Sequence, residues 1–388
     1  MIQKALTLFI SLALANCLFA SEPIIPAPPQ LAAKGYLLID ATTGTVLVDY
    51  NSKQRLPPAS LTKIMTSFVA ATEIERGTAS LQDNVNISVN AWRMEGSRMF
   101  IQEGTEVTVE DLLKGIIIQS GNDASVAIAE YFAGSEEAFA DVMNQQAARL
   151  GMVDTNFVNS TGLPDENHYT TAADLARLAI ALIDRFPEHY KIYAEKYYTY
   201  NNIRQANRNS LLWRDNTVDG VKTGHTETAG YCLVASAERE GMRLVSVVMG
   251  AGSEAARATE SQKLLTYGFR YYETVSLYAG GESLKKVRVW GGSHNSINLG
   301  LADNAVVTIP RGARDNLGAQ MDIGAEIHAP LSDGQELGTL MILMNEEKLM
   351  SIPLVALNAV EEAGFFSRIW DAVSLFFLLL FGGDPLKL

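Results

Sequence analysis

The sequence is poor in the residues that define metal-bound, fibrous or unfolded proteins. It has two cysteines and five histidines in 388 residues, and they lack the spacing of zinc sites, so no metal or other cofactor is expected. With 47% hydrophobic and 19% charged residues the composition is globular, which excludes disordered, collagen-like and multi-span membrane classes. A net charge of −13 argues against nucleic-acid binding. The length allows about two to three domains.

The first 20 residues are typical of a secretory signal peptide. Lys4 precedes an apolar stretch, and small residues lead to a predicted cleavage after Ala20. Residues 21–30 contain four prolines and are predicted to form an extended linker. Removing the signal removes Cys17, so the exported chain has no intramolecular disulfide. The remaining Cys232 lies in an apolar run and is expected to be a small buried core residue.

The C-terminal segment, residues 361–388, has the pattern of an amphipathic helix. From Phe365 onwards apolar residues recur every three to four positions, opposite a polar side that includes Asp371. The longest apolar run, Leu375 to Phe381, has seven residues, well short of the roughly 20 that span a bilayer. We predict a membrane-surface anchor, with a terminal helix packed on the core as the alternative.

Hydrophobic patterns between these ends indicate an α+β part followed by an all-β part. Two predicted hairpins, within 34–50 and 230–249, enclose a block of helical patterns, which favours one antiparallel sheet closed by distant segments. After Glu273 the helical period disappears, and short β-branched runs alternate with turn residues. We predict a catalytic domain at 31–273 and a small all-β domain at 274–360.

Ser60-Leu61-Thr62-Lys63 is the first of three motifs with candidate catalytic side chains. It begins a predicted helix, where positions i and i+3 lie about 5–6 Å apart on one face. Lys63 can therefore reach the Ser60 hydroxyl, and the helix N-terminus favours an oxyanion nearby. Taken alone the motif is weak, because Ser283-Leu284-Lys285-Lys286 also matches it. A capped helix with a solvated lysine is the alternative.

The other two motifs are Ser120-Gly121-Asn122, in a predicted break between helices, and Lys222-Thr223-Gly224, which precedes a predicted strand. Ser-x-Asn also occurs at 88, 293 and 296, whereas Lys-Thr-Gly occurs once. A surface turn or helix cap is the alternative for each. Gly224 would let a substrate backbone approach closely. A Gly-x-Ser-x-Gly elbow is absent from the sequence, which argues against an α/β-hydrolase.

In this order the three motifs form the signature of penicillin-binding proteins and related β-lactamases. Over nearly its whole length the chain resembles the D-alanyl-D-alanine carboxypeptidases of the penicillin-binding protein 5/6 type. The resemblance implies a β-lactamase/transpeptidase-like catalytic domain, then the β domain and the anchor, at the periplasmic face of the bacterial inner membrane. It implies the peptidoglycan pentapeptide stem as substrate, β-lactam antibiotics as covalent inhibitors, and a role in cell-wall maturation and cell shape.

The resemblance also implies residue roles. Ser60 would be the nucleophile that forms an acyl-enzyme, Lys63 the base, and Ser120 a bridge between the two lysines that passes a proton to the leaving amine. Lys63 would need its pKa lowered from about 10.4 towards about 7, helped by burial and by a nearby Lys222 charge. The implied substrate-binding residues are Asn122, Lys222, Thr223, Gly224, His225 and Arg257. Within this set Arg257, Lys222 and Thr223 would bind the terminal carboxylate, and the backbone N–H groups of Ser60 and His225 would form the oxyanion hole.

Three other functions use similar features. A class A β-lactamase adds a Glu-x-x-Leu-Asn loop, whereas this chain has Glu166-Asn167-His168-Tyr169-Thr170. A DD-endopeptidase could use the same catalytic set, but the β domain and anchor favour the carboxypeptidase. A non-catalytic wall-binding scaffold would tolerate the loss of motif residues, and here all of them are present.

Overall fold

The structure is a computed structural model that describes residues 24–388. The predicted signal peptide at 1–20, including Cys17, lies outside the described residues. Residues 24–30 contain no helix or strand. The Pro26 carbonyl accepts a hydrogen bond of 3.0 Å from the Tyr267 hydroxyl, so this proline-rich segment lies against the folded chain.

A five-stranded antiparallel sheet organises the part of the chain that precedes residue 272. Its strand order is β2-β1-β9-β8-β7, so both predicted hairpins contribute and the first packs beside the second, as expected. The sheet strands are β1 (Gly35–Asp40), β2 (Val46–Tyr50), β7 (Val218–Thr226), β8 (Gly230–Arg239) and β9 (Met242–Ala251). Two small two-stranded sheets pair β3 (Asn84–Asn86) with β4 (Glu106–Thr108) and β5 (Tyr197–Tyr200) with β6 (Ile203–Ala206); the second is a hairpin.

Helices cover both faces of this sheet. Successive strand residues point to opposite faces, and accordingly Leu37 packs in one hydrophobic cluster and Leu38 in the other. One cluster contains α1 and α3 to α6, and the second contains α9. The helices are α1 (Thr62–Glu75), α2 (Val89–Arg93), α3 (Val109–Lys114), α4 (Asn122–Ala133), α5 (Glu136–Arg149), α6 (Ala172–Arg185), α7 (Pro187–Tyr190), α8 (Leu211–Arg214) and α9 (Glu254–Tyr271).

The chain after α9 is built of β-strands, as the loss of helical period predicted. A five-stranded antiparallel sheet has the order β11-β12-β16-β15-β14, and β10 pairs with β13 in a two-stranded sheet. The strands are β10 (Tyr272–Tyr278), β11 (Lys285–Arg288), β12 (Ser296–Gly300), β13 (Ala305–Pro310), β14 (Leu317–Ile323), β15 (Glu336–Met344) and β16 (Glu347–Ala356). Two apolar clusters fill this part.

The predicted C-terminal helix is α10 (Phe365–Leu380). The Asp371 carboxylate accepts hydrogen bonds from Arg288 Nη2 at 3.0 Å and from the Gly291 N–H at 2.9 Å, and Leu375 is buried. These contacts dock one side of α10 on the β-rich part. Among residues 24–388 no helix is both long and apolar enough to cross a membrane.

Asp40 joins the two parts of the structure. Its carboxylate lies at the end of β1, is completely buried, and accepts hydrogen bonds from the hydroxyls of Thr274 in β10 and Thr308 in β13 at 2.5 and 2.7 Å. It also accepts the Thr42 N–H at 2.9 Å. Buried donors that lose their acceptor cost free energy, so this single side chain stabilises the contact between the two sheets.

We therefore expect Asp40→Ala to lower the free energy of unfolding by about 2 kcal/mol, because two hydroxyls and one N–H lose their buried acceptor. The measurement is urea-induced unfolding followed by circular dichroism. Asp49→Ala is the matched control, since Asp49 lies exposed on β2 and accepts one N–H bond, from Ser52. Equal stabilities of the two variants would contradict the assignment.

Candidate active site

Ser60 and Lys63 lie where the chain enters α1. A tight turn, Ala59–Leu61, precedes the helix and contains Ser60, and Lys63 occupies the first helical turn. Lys63 Nζ donates a hydrogen bond to Ser60 Oγ at 3.1 Å, and Lys63 is 1% exposed. The capped helix with a solvated lysine is therefore not what forms at this motif, because the lysine is buried against the serine.

Two further oxygens complete the surroundings of the Lys63 amine. Lys63 Nζ donates to Asn122 Oδ1 at 2.8 Å and to the Thr161 carbonyl at 2.5 Å. Thr161 belongs to the loop between α5 and α6, and Asn122 is the first residue of α4. All three acceptors are uncharged, so they orient the amine without contributing a carboxylate.

Ser120 and Lys222 form a second pair. The chain leaves α3 through a π-helical turn, Gly115–Gln119, and Ser120 then adopts a left-handed conformation with φ 65°. Lys222 Nζ donates to Ser120 Oγ at 2.9 Å. In the described part of the chain no hydrogen bond joins Ser120 to Lys63, so the expected bridge between the lysines is present on the Lys222 side only.

Lys222, Thr223 and Gly224 lie on β7, the edge strand of the large sheet. The motif forms a strand of its own instead of merely leading into β8. A Cβ added to Gly224 would lie 3.0 Å from the Pro58 carbonyl oxygen and 3.2 Å from the Leu61 nitrogen. The protein's own turn around Ser60 thus occupies the space beside Gly224 and favours a glycine here, while the expected approach of a substrate backbone stays a prediction.

Ser60 and Ser120 open into a polar cleft of about 280 Å³. Its wall includes side chains from α9, β7, β8 and the segment after β6. The lining residues are Ser60, Ser97, Ser120, Arg208, Thr223, Gly224, His225, Tyr231, Glu254 and Arg257. Arg257 donates to the Gly224 carbonyl at 3.2 Å, and the His225 ring stacks on Tyr231 with centroids 4.0 Å apart. Predicted site residues on four distant segments therefore meet at one cleft: Ser60, Ser120, Thr223 to His225, and Arg257.

Burial controls the charge of both lysines. Burial and, to a smaller extent, the positive charge of Arg208 together lower the pKa of Lys63 to about 7. Burial also holds the pKa of Lys222 well below its ordinary value, with an added contribution from the Lys63 charge. A substantial fraction of Lys63 is consequently neutral at physiological pH, as a proton-accepting amine must be.

The Asp123 carboxylate holds the segment around residues 99–101 against the start of α4, beside Asn122. Asp123 accepts hydrogen bonds from the backbone N–H groups of Met99, Phe100 and Ile101 at 3.0, 2.9 and 3.3 Å. Asn122 Nδ2 donates to the Glu95 carbonyl at 2.7 Å. The segment between the first two motifs therefore supports Asn122 through the Glu95 carbonyl.

Sequence reasoning missed Arg208, Thr161, Asp123 and Glu254. Arg208 donates through Nε to the Gln119 carbonyl at 3.0 Å and lines the cleft, but it follows an irregular segment without a motif. Thr161 contributes a backbone carbonyl, which residue type does not reveal. For Asp123 a signal existed, since an acidic residue directly after Ser-x-Asn at a helix start favours capping contacts.

Comparisons with known proteins show which families the two parts of the chain match. A family model described as D-alanyl-D-alanine carboxypeptidase matches residues 22–253, and a model described as the C-terminal domain of penicillin-binding protein 5 matches residues 272–362. The chain is 45% identical over 372 residues to the D-alanyl-D-alanine carboxypeptidase DacC of Escherichia coli (strain K12), covering 94% of this chain and 93% of that protein.

Two solved structures are also similar. Penicillin-binding protein 5 from Haemophilus influenzae superimposes with a TM-score of 0.83 and 41% identity, covering 87% of this chain and all of that one. Penicillin-binding protein D2 from Listeria monocytogenes, solved in an ampicillin-bound form, has a TM-score of 0.58 and 29% identity, covering 63% of this chain and 100% of that one.

We expect Arg208→Gln to raise the pKa of Lys63, because removing a nearby positive charge makes protonation of the lysine less costly. The neutral fraction of Lys63 at pH 7 would then fall. NMR titration of ¹³C-labelled lysine reports this pKa directly. Arg204→Gln, on the outer side of the β5–β6 hairpin, is the control and should leave the titration unchanged. Identical Lys63 titrations in wild type and Arg208→Gln would contradict the assignment.

Proposed function

The chain belongs to the D-alanyl-D-alanine carboxypeptidase family, and we propose that Ser60 is the nucleophile with which it releases the terminal D-alanine of a peptidoglycan pentapeptide stem. As a member of this family it is a serine-type D-Ala-D-Ala carboxypeptidase, a hydrolase. The observation that carries the choice of Ser60 is its contact with a buried lysine, Lys63 Nζ at 3.1 Å, inside a polar cleft. The second Ser-x-x-Lys match offers no such setting, because Ser283 and Lys286 are exposed.

Lys63 is the base in this proposal. Two of its three hydrogen-bond acceptors, Asn122 Oδ1 and the Thr161 carbonyl, have no hydrogen to give back. A neutral amine keeps two N–H groups, which these two oxygens can hold. Its lone pair is then directed at the third partner, Ser60 Oγ, whose proton it can accept.

The reaction follows from this geometry. Ser60 Oγ attacks the carbonyl carbon between the two D-alanines while its proton passes to Lys63, and the backbone N–H groups of Ser60 and His225 receive the oxyanion. The C–N bond breaks as Ser120, held by Lys222 at 2.9 Å, gives its hydroxyl proton to the leaving amine. Ser120 receives in turn the proton that Lys63 took from Ser60, which returns Lys63 to the neutral amine. Water then hydrolyses the ester and regenerates the Ser60 hydroxyl.

Substrate binding uses the opposite wall of the cleft. The leaving D-alanine ends in a carboxylate, and a guanidinium and a hydroxyl are suitable donors for it. Arg257 and Thr223 provide them, and the Lys222 amine lies beside Thr223. Asn122 remains the candidate to hold the amide of the penultimate residue, since its Nδ2 and Oδ1 are already oriented by Glu95 and Lys63.

We also propose that β-lactams acylate Ser60. The related protein from Listeria monocytogenes was solved with ampicillin bound, and a β-lactam ring presents the same type of carbonyl to the same nucleophile. A class A β-lactamase is less well supported, because Glu166 is exposed and lines a separate surface cavity with Arg55 and Thr228. No carboxylate of that loop lines the cleft to activate water.

Mixing the protein with benzylpenicillin and following its intact mass tests this proposal. We expect a lasting adduct equal to one penicillin in the wild type and none in Ser60→Ala, because the ester forms on that hydroxyl. Ser283→Ala, from the second Ser-x-x-Lys match, is the control and should retain the adduct. Rapid consumption of penicillin without an adduct would indicate a β-lactamase, and an adduct on Ser60→Ala would exclude Ser60.

For the C-terminal helix we propose peripheral attachment to the periplasmic face of the inner membrane. Opposite the side docked through Asp371, α10 exposes large apolar side chains: Phe366 is 84% and Trp370 73% exposed. The tail after the helix is held as well, since Trp290 Nε1 donates to the Pro385 carbonyl at 2.9 Å. An exposed aromatic surface on a docked helix suits an interface better than a core contact.

Truncation after Glu362 should therefore move the protein from the membrane fraction to the soluble fraction without loss of penicillin acylation. A double variant, Trp370→Glu with Phe377→Glu, keeps the Asp371 contacts and should be released as well, because charged side chains oppose apolar burial. Membrane sedimentation and penicillin labelling measure both properties. A truncated protein that still sediments with membranes would disprove the anchor.

A further inference from the structure

A carboxylate of the protein itself lies in the candidate carboxylate-binding region of the cleft. Glu254 lines the cleft together with Ser60, Ser120 and Arg257. Its Oε1 accepts a hydrogen bond from Arg257 Nη2 at 3.2 Å. The Glu254 side chain is 66% exposed, whereas that of Arg257 is 7% exposed. Arg257 is therefore held in the wall of the cleft, whereas the Glu254 side chain extends into solvent and can move.

The start of α9 places these two side chains together. Ser253 caps the helix by accepting the Ala256 N–H at 3.0 Å, so Glu254 and Arg257 fall three positions apart in the first turn and share one face. The guanidinium also donates to the Gly224 carbonyl and lies over the Tyr231 ring, 5.7 Å from its centroid. That carbonyl is backbone of β7 and stays in place, so Glu254 is the partner that can leave.

An arriving substrate carboxylate binds the same guanidinium that Glu254 contacts through Nη2. Both are carboxylates, both are satisfied by a guanidinium N–H, and like charges at this distance disfavour simultaneous binding. Swinging Glu254 into solvent costs little, because exposed ion pairs are weak. The Glu254–Arg257 ion pair therefore lowers the affinity for substrate without blocking the entry of substrate to the cleft.

We propose that Glu254 is a specificity-determining residue that competes with the substrate's terminal carboxylate for Arg257. The inference rests on the proposed role of Arg257 and extends it to product release. Once the C–N bond has broken, free D-alanine is held by its carboxylate without the rest of the peptide. Glu254 then returns to Arg257 and displaces it, which limits inhibition by the product.

Glu254→Gln tests this inference, because it removes the charge and preserves the size of the side chain. The matched control is Glu227→Gln, an exposed carboxylate in the β7–β8 connection for which the structure gives no ion pair among the described residues. Steady-state kinetics with diacetyl-L-lysyl-D-alanyl-D-alanine give kcat and KM. Inhibition by D-alanine and by D-alaninamide, which lacks the carboxylate, isolates the interaction with Arg257.

We expect Glu254→Gln to lower KM by about two- to five-fold at low ionic strength with unchanged kcat, the range of an exposed ion pair. D-Alanine should inhibit more tightly by a similar factor, and D-alaninamide should not. The effect should shrink at high salt and vanish when Arg257→Gln is also present. A raised KM would mean that Glu254 orients Arg257, and an equal change in Glu227→Gln would mean a general charge effect; either result overturns the inference.

The single variant Arg257→Gln separates this inference from the proposed function. It should raise KM at least about ten-fold, as expected for loss of a charge-assisted hydrogen bond. If Arg257→Gln leaves KM unchanged, the proposed carboxylate site is wrong and the inference fails with it. If Arg257→Gln raises KM while Glu254→Gln leaves it unchanged, only the inference is wrong.

Discussion

Two lysines buried without a carboxylate partner are the constraint on which the rest of this structure depends. Lys63 and Lys222 are 1% and 3% exposed, and within residues 24–388 neither forms an ion pair by direct contact. Burying an amine in this way is costly unless its hydrogens are accepted. Serine hydroxyls, one amide and backbone carbonyls accept them here, so the folded chain must hold these oxygens in place.

The large sheet and its helices provide that fixed frame. Lys63 lies in the first turn of α1, and Lys222 lies on the edge strand β7. The break that carries Ser120 and Asn122 lies between them, fixed by Asp123 and the π-helical turn. Each lysine thus takes at least one acceptor from a segment far away in sequence, and the packing of the whole core maintains their positions.

Much of this architecture could be predicted from sequence because neighbouring residues determine the hydrophobic period and the turns of each element. The hairpins, the helix from Ser253 and the change to β structure after Glu273 follow from hydrophobic period and turn residues. The three motifs were found by residue type. Two contacts could not be found in this way: the Thr161 carbonyl accepts from Lys63, and Arg208 donates to the Gln119 carbonyl. Both use backbone oxygens of segments that only folding brings together. The strand at Lys222-Thr223-Gly224 escapes sequence analysis for a different reason. Its polar and glycine residues do not show the alternation of apolar and polar side chains that predicts a strand.

The close packing of Gly224 against the turn before α1 links the two walls of the cleft mechanically. The strand and the nucleophile turn touch through backbone atoms, with no flexible side chain between them to absorb a displacement. A shift of β7 towards α1 therefore displaces the turn that contains Ser60. We expect the cleft to adapt to a bulkier acyl group away from this contact, at Ser97, which lines the cleft from the segment between α2 and β4.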